Sequence, residues 1–333
     1  MRNLGRGSPW LAATTVLLLA RCASAPAAKP STPADLAWPP GDPRVRLERV
    51  IELQAPSRSG AGRFLRWASG SEENVIFERP YGVAWDGEDL LVTDPGAWRI
   101  VRIDPDGRLT TSPEGAVENP IGVAVCQEGV VVSDTRTGKV ALLSPDLEHI
   151  DWIAEGLERP TGVACKGERI FVVETGKHRV LLRETNGSWT PLGGRGAGDA
   201  EFNFPTSVAV AGGSLWVGDT LNFRIQRLDA ASGSVEGIFG HLGDAAGDMP
   251  RLKGIAIDSA GHAWVSDAHL DRVSLYTPDG DLLMSLGRTG VEPGEFSFPA
   301  GIAAHPDGRV AVVDSLNRRV QIFRVLETGT TEP

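Results

Sequence analysis

The chain repeats one short motif six times, and this repetition constrains the fold more than any other feature of the sequence. The repeats begin at Pro80, Pro120, Pro160, Pro205, Leu252 and Pro299, at spacings of 40, 40, 45, 47 and 47 residues. In each repeat a segment of the type Pro-x-Gly-Val-Ala leads into a polar turn and then into a β-rich run. Repeats of this length are supersecondary units that bury their apolar faces against one another. The sequence therefore predicts a single repeat domain.

Each β-rich run ends in an acidic residue, and a basic residue follows five positions later. The six pairs are Asp94 and Arg99, Asp134 and Lys139, Glu174 and Arg179, Asp219 and Arg224, Asp267 and Arg272, and Asp314 and Arg319. A fixed separation of five places the acid at the end of one strand and the base at the start of the next, as in cross-strand pairs. Catalysis needs one asymmetric arrangement rather than six copies. We therefore interpret the pairs as structural.

Four short strands fit within each repeat, and no stretch beyond residue 44 has the apolar spacing of a helix. One four-stranded sheet cannot bury both of its faces alone, whereas six sheets arranged radially bury each face against a neighbour. The predicted fold is therefore all-β: a six-bladed β-propeller of four-stranded antiparallel blades, forming one domain over residues 44–328.

The last blade needs a strand from the N-terminal part of the chain, because only eight residues follow Val325. Two segments are candidates, residues 45–53 and residues 63–67. Trp67 lies 13 residues before Pro80, as Leu286 lies 13 residues before Pro299. This spacing favours residues 63–67 as the closing strand, with residues 45–53 as an extra strand or a covering segment.

Two of the repeats carry a longer signature after the acid. These are Asp219-Thr-Leu-Asn222-Phe-Arg224 and Asp314-Ser-Leu-Asn317-Arg-Arg319. With the preceding Pro-x-Gly-Val-Ala segments, the pattern resembles the NHL repeat over residues 63–325. The first three repeats depart from it, since Ala97, Thr137 and Lys177 stand where the signature has Asn. The resemblance implies a six-bladed propeller and no particular activity, because propellers host unrelated functions.

The N-terminal residues read as a targeting segment. Residues 1–21 carry three arginines and no acid, and they include an 11-residue apolar run that is too short to span a bilayer. The sequence Leu19-Ala20-Arg21-Cys22 resembles a lipobox, with Arg21 departing from the pattern, and lipidation of Cys22 would follow. The alternative is ordinary cleavage after residues 25–27. Residues 22–43 are rich in Pro and are predicted to form an extended tether.

Charge excludes one class of partner. The chain has 33 Lys and Arg against 43 Asp and Glu, a net charge of −10, which becomes −13 without residues 1–21. Binding to phosphate backbones needs a basic footprint. We therefore expect no nucleic acid partner.

Cys126 and Cys165 end the first strands of two adjacent repeats. They differ by one position in register, so that their side chains can meet between neighbouring blades. A disulfide is one interpretation, which an oxidising compartment would allow. Two small buried residues near a crowded axis are the other.

No catalytic, metal-binding or cofactor-binding residue is assigned. The resemblance includes amidating lyases with an axial zinc held by histidines, but none of the six histidines forms a closely spaced ligand pair. His178 and His269 are expected in equivalent loops of the third and fifth blades, which are not neighbours. His305 is expected at the end of an innermost strand.

These features favour an exported, lipid-anchored binding or scaffold module without catalytic activity. It would sit in a bacterial cell envelope, on an outer membrane, and contact the membrane only through its lipid. A protein, peptide or glycan would bind on the side of the ring with the longest loops between blades, which are residues 193–204, 240–251 and 287–298. The alternative is a metal-dependent lyase or a lactonase-like hydrolase on the same fold.

Overall fold

The computed structural model describes residues 36–52 and 77–326, and they form six sheets arranged as the blades of a propeller. The chain begins with β1 (Ala37–Trp38) and β2 (Val45–Glu52), which belong to the last blade. Blade 1 contains β3 (Val83–Asp86), β4 (Asp89–Asp94), β5 (Arg99–Ile103) and β6 (Leu109–Thr111). Blade 2 contains β7 (Pro120–Cys126), β8 (Gly129–Asp134), β9 (Lys139–Leu143) and β10 (Ile150–Ala154).

The remaining blades follow in chain order. Blade 3 contains β11 (Pro160–Lys166), β12 (Arg169–Glu174), β13 (Arg179–Arg183) and β14 (Trp189–Leu192), and a two-stranded parallel sheet of β15 (Gly194–Arg195) and β16 (Glu201–Phe202) follows. Blade 4 contains β17 (Ser207–Ala211), β18 (Ser214–Asp219), β19 (Arg224–Asp229) and β20 (Val235–Phe239). Blade 5 contains β21 (Leu252–Ile257), β22 (Ala263–Asp267), β23 (Arg272–Tyr276) and β24 (Leu282–Leu286). Blade 6 contains β25 (Pro299–Ala304), β26 (Arg309–Asp314) and β27 (Arg319–Val325), and β2 and β1 complete its sheet.

The ring has two distinct faces. The first strands of the blades contact one another in a closed cycle around the axis. At one face, which we call the loop face, lie the connections between blades and the hairpins that join the second and third strands. At the other, the turn face, lie the remaining hairpin turns. Within the described residues the only helical segments are two single 3₁₀ turns, at Thr175–Lys177 and Thr220–Asn222, so the predicted all-β propeller is confirmed.

The second strand of each blade is buried on both sides. Val130, Val131 and Val132 in β8 have at most 1% of their surface exposed. A blade lies between two neighbours, so both faces of its middle strands are covered and the apolar run is continuous rather than alternating. The cores between blades are therefore built from consecutive residues of these strands.

The glycine of the repeated motif permits the close packing of neighbouring first strands. A Cβ atom at Gly82 would lie 2.2 Å from the carbonyl oxygen of Ile121, and one at Gly122 would lie 2.2 Å from that of Thr161. Ser207 takes this position in blade 4, and its hydroxyl accepts a hydrogen bond from the backbone N–H of Ile255 at 3.0 Å. The motif glycine thus sets the width of the ring.

The six acidic residues at the ends of the second strands are buried and face their basic partners in register. The register pairs are Asp94 with Arg99, Asp134 with Lys139, Glu174 with Arg179, Asp219 with Arg224, Asp267 with Arg272, and Asp314 with Arg319. Four pairs form ion pairs, at 3.7 Å in blade 1, 2.6 Å in blade 3, 2.8 Å in blade 4 and 2.7 Å in blade 6. Lys139 instead contacts Glu155 at 3.1 Å.

The carboxylates have a second role that the sequence interpretation missed. Asp94 accepts hydrogen bonds from the backbone N–H groups of Glu78 and Arg79, at 2.9 and 2.8 Å. Asp314 accepts one from Ser297 at 2.8 Å, and each of the other four acids does the same in its own blade. Each acid therefore fixes the connection that leads into the first strand of its blade.

The complete NHL signature adds further donors to this carboxylate. In blade 6, Asp314 accepts hydrogen bonds from Asn317, Arg319 and Gln321, at 2.9, 2.7 and 3.2 Å. The guanidinium of Arg319 also donates to the carbonyl oxygens of Val291, Glu292 and Glu295. Burying a carboxylate is costly unless its oxygens are hydrogen-bonded. The donors meet this requirement and hold the preceding loop in place.

The N-terminal strand that closes the ring is β2, and the interpretation that favoured residues 63–67 is wrong. β2 pairs antiparallel with β27 along its whole length, from Val45 with Val325 to Glu52 with Arg319. Ion pairs of Glu48 with Arg324, at 2.6 Å, and of Glu52 with Arg319, at 3.6 Å, reinforce the pairing. Residues 63–67 lie outside the described residues. No hairpin joins the closing strand to its partner, so no turn fixes its distance from the next motif. The equal spacing of Trp67 to Pro80 and of Leu286 to Pro299 therefore did not identify the strand.

The sheet of blade 6 also includes a short strand upstream of residue 44, the expected start of the domain. β1 pairs with β2, and the ring of Trp38 packs edge-on against Phe323 at 5.7 Å between centroids. Ala37 and Trp38 therefore add an edge strand to this sheet. Residues 1–35, which hold the predicted signal segment and Cys22, lie outside the described residues.

A chain that starts at residue 53 should melt at a markedly lower temperature than one that starts at residue 36, or should aggregate. Without β2, the edge of β27 loses its backbone partners, and each buried group left unpaired costs about 1–3 kcal/mol. Thermal unfolding followed by circular dichroism measures the difference. Both chains retain residues 63–67, so equal melting temperatures would contradict closure by β2.

Candidate functional site

The loop face carries a group of exposed apolar side chains. Trp98, Leu221 and Leu316 lie at the tips of the hairpins of blades 1, 4 and 6 and are 55%, 46% and 61% exposed. Leu242 and Val291 lie in the long loops that lead into blades 5 and 6, and both are more than 60% exposed. We call these five residues the apolar rim. Exposed apolar side chains grouped on one face are typical of interaction sites.

At the axis the loop face opens into a shallow depression of about 440 Å³, including the solvent at its mouth. The first strands of all six blades line it, and Tyr81 and Lys253 are its largest polar side chains. Both occupy the position before the motif glycine, which is where each first strand begins. The depression therefore lies where the six repeats converge.

Three arginines stand beside this depression. Arg79, Arg159 and Arg251 directly precede the motif in blades 1, 3 and 5, so they come from alternate blades, and all three are exposed. The guanidinium of Arg251 and the ammonium of Lys253 each lie 5.6 Å from the ring centre of Phe298. We call these three arginines and Lys253 the axial cations. Among the described residues, none of the four has a carboxylate within ion-pair distance.

The charges of the axial cations act on the groups between them. Burial, together with the positive charges of Arg251 and Arg159, lowers the pKa of Lys253 to about 8 against the opposing effect of Asp267. Burial raises the pKa of Tyr81, while the charges of Arg159, Arg251 and Arg79 act in the opposite direction. The two shifts place the cations within electrostatic reach of one another across the axis.

Asp267 acts on Lys253 from beyond ion-pair distance, and its oxygens accept hydrogen bonds from the backbone. One oxygen accepts a hydrogen bond from the N–H of Arg251 at 2.7 Å. The other accepts from His269 and Leu270 at 2.8 and 3.0 Å. Among the described residues, the axial cations therefore have no carboxylate in ion-pair contact.

The long loops of the loop face have fixed conformations. Phe202 and Phe296 are fully buried beneath the loops that lead into blades 4 and 6. Gly193 and Gly287 have positive φ angles, and a Cβ atom at either would lie 2.4 Å from the adjacent phenylalanine ring. Such loops lose little entropy on binding, since they are ordered beforehand.

Cys126 and Cys165 are joined by a disulfide between blades 2 and 3, with their Cα atoms 5.5 Å apart. The bond lies at the end of the first strands, next to the turn face. Of the two interpretations drawn from the sequence, the structure contains the disulfide. It is remote from the axial cations.

The histidines have separate local contacts. His178 accepts a hydrogen bond from the N–H of Phe204 at 3.1 Å, and His305 contacts the carbonyl oxygen of Gly87 at 3.1 Å at the turn face. His269 lies in the hairpin of blade 5. Residues 36–52 and 77–326 contain no group of three or more residues that could hold a metal ion. Nor do they contain a helix long and apolar enough to cross a membrane.

The sequence interpretation did not identify the axial cations as a site. A signal was present, because a basic residue directly precedes the motif in the first, third and fifth repeats. Its meaning depends on the ring, which brings residues that are 80 to 92 positions apart in the chain to one axis.

Similarity to known proteins agrees with this architecture. Residues 296–323 match the family model of the NHL repeat. No curated protein matches the chain. Virginiamycin B lyase from Staphylococcus aureus is similar in structure, with a TM-score of 0.59 and 13% identity, over 85% of this chain and all of that one.

Two other solved structures are similar to a comparable degree. An auxiliary nutrient binding protein from Bacteroides thetaiotaomicron has a TM-score of 0.60 and 13% identity, over 74% of this chain and 69% of that one. A chain of a nidogen/laminin complex has a TM-score of 0.55 and 13% identity, over 64% of this chain and 86% of that one. At these identities the likeness concerns the fold alone.

The fold defines the class: the protein is a six-bladed β-propeller. Within that class it carries an NHL repeat, so the resemblance drawn from the sequence is confirmed.

Lys253 should titrate near pH 8, against an ordinary lysine pKa of about 10.4. The ¹³C-methyl resonances of reductively methylated lysines measure this, and the resonance absent from Lys253→Met identifies the residue. Titration above pH 10 would contradict the arrangement of the axial cations.

The same substitution should stabilise the fold at pH 7. A lysine whose pKa is lowered on folding destabilises the fold fully below its folded pKa of about 8, and this cost declines as the pH rises from there to the unfolded pKa of about 10.4. Lys253→Met removes the cost and should raise the melting temperature, by about 2–4 °C for each kcal/mol removed. Differential scanning calorimetry measures the change.

Proposed function

We propose that the protein is an exported binding protein that docks a protein partner on its loop face. The observation that carries this proposal is the coincidence, on one face, of the apolar rim with the axial cations. Protein interfaces concentrate their energy in a few aromatic, apolar and arginine side chains. Trp98, Leu316 and the three axial arginines supply these residue types on ordered loops.

The related folds support a binding role without deciding it. Similar propellers occur in a nutrient binding protein and in the nidogen/laminin complex, and another occurs in an enzyme, virginiamycin B lyase. The fold therefore admits both classes. Our choice rests on the residues of the loop face, where the described side chains offer contact surface and charge.

Export is proposed from the N-terminal segment together with the disulfide. Residues 1–21 have the pattern of a secretory signal, and the bond between Cys126 and Cys165 is of a kind that persists in oxidising compartments. Lipidation of Cys22 would anchor the protein to a membrane of the cell envelope, with residues 23–35 as the tether. The propeller would then face the periplasm or the exterior.

Cys22→Ala should release the protein from the membrane fraction into the soluble fraction. A lipid chain is the anchor in this proposal, so its loss removes the membrane affinity. Fractionation of cells followed by immunoblotting measures the distribution, and Ser24→Ala serves as the matched control. Unchanged membrane association of the Cys22 variant would contradict the anchor.

Photocrosslinking tests the docking face. A photoreactive phenylalanine analogue at position 98 or 316 should give a discrete crosslinked product in cells of the native host, because these positions lie within the proposed interface. Positions 152 and 283, on the outer strands β10 and β24, are the controls, since Trp152 and Leu283 are also exposed. Mass spectrometry of the product identifies the partner. The same pattern of products from all four positions would contradict a specific loop-face interface.

A further inference from the structure

The axial cations are a stability cost that the fold itself does not explain. Elsewhere in the described residues, most basic side chains have a carboxylate nearby, as Arg102 does with Asp86 and Asp89 at 2.7 and 3.0 Å. Arg79, Arg159, Arg251 and Lys253 have none among the residues that the structure describes. Four like charges held at one axis repel one another. An arrangement of this kind is typical of a site that awaits an anion.

The geometry of the mouth suits a carboxylate. Lys253 lies in the wall of the depression, and the three arginines directly precede the motifs whose residues line it and act electrostatically on Lys253 or Tyr81. Guanidinium groups bind carboxylates through two parallel hydrogen bonds. Phe298 packs against both Arg251 and Lys253, and this contact limits their freedom before any ligand arrives.

We propose that the axial mouth binds the carboxylates of an acidic peptide segment of the docked partner, with Lys253 and the arginines at positions 79, 159 and 251 as the contacts. This inference rests on the proposed docking function and names the chemistry at its centre.

A peptide segment is favoured over other polyanions by what surrounds the mouth. The apolar rim offers Trp98, Leu221 and Leu316 to apolar side chains that flank the acidic residues. A phosphate polymer or a sulfated glycan has no such groups to bury. The net negative charge of the chain repels every polyanion outside the mouth, the acidic peptide included, so the contacts with the apolar rim make the difference between these ligands.

The probe is a fluorescein-labelled peptide of four glutamates flanked by leucines, measured by fluorescence anisotropy with the folded protein at low salt. The expected result is saturable binding that weakens as salt is raised, because charge pairing is screened. Lys253→Met should weaken binding at least about tenfold, because it removes a cation that pairs with a peptide carboxylate in the mouth. The triple variant Arg79→Gln/Arg159→Gln/Arg251→Gln removes three such cations and should weaken binding by more.

A matched control carries the same change of net charge. Arg44, Arg46 and Arg108 are exposed and lie away from the mouth, so their triple change to Gln should leave binding within about twofold. Lys253→Met is expected to raise stability while it lowers binding, which a purely structural residue would not do. A peptide with lysines in place of the glutamates should not bind.

Binding should also weaken between pH 7 and pH 9. Lys253, which faces Arg251, Arg159 and Asp267, loses its charge over this range, and the pKa of Tyr81 is raised by burial. Lys253→Arg retains the positive charge and should abolish the pH step while preserving binding at pH 7.

Three outcomes would overturn the inference. These are no binding of the peptide at low salt, equal binding by the axial and control triple variants, and at least tenfold tighter binding of polyphosphate or a heparin oligosaccharide through the same residues. Each is independent of the photocrosslinking result. Loss of peptide binding with loop-face crosslinks intact would refute the acidic segment alone, and loss of the crosslinks with peptide binding intact would refute the docking function.

Discussion

The buried carboxylate at the end of each second strand is the interaction on which the ring depends. It joins the strand that carries it to the connection arriving from the previous blade, and in four blades it also forms an ion pair with the basic residue across the hairpin. Removing such a group leaves backbone donors unpaired in the interior, at a cost of about 1–3 kcal/mol each. Because the same hydrogen-bonded carboxylate occurs in all six blades, it holds the six connections in equivalent positions. The regular arrangement of the loop face follows from this repetition.

The same carboxylates define where the axial cations stand. Asp94 and Asp267 bind the backbone N–H groups of Arg79 and Arg251, so the chain positions of these arginines are fixed although their side chains are exposed. The backbone of these arginines is held by buried carboxylates whose oxygens are hydrogen-bonded. Their guanidinium groups have no carboxylate within ion-pair distance among the described residues. In these residues the backbone atoms contribute to stability, and the side chains are the ones that the proposed docking function would use.

The repeat, the blade number and the hairpin pairs followed from the sequence because they depend on local spacing. Pro80 and Pro299 mark equivalent positions, and Asp219 and Arg224 meet across one turn. Features that depend on ring closure did not follow. The strand at Val45–Glu52 was not chosen, since pairing between distant segments leaves no spacing to read. The convergence of Arg79 with Lys253 was missed for the same reason, as only the closed ring brings them together.

Closure of the ring by β2 also sets an order of events in time. Val45 pairs with Val325, about 280 residues later in the chain. β2 is therefore synthesised long before β27, its partner in the sheet. At about 5–20 residues per second, the interval between them is about 15–55 s. Five blades can assemble from contiguous segments during this interval, but the sixth cannot. The ring of the nascent chain therefore cannot close until β27 has been synthesised, because its last blade needs both β2 and β27.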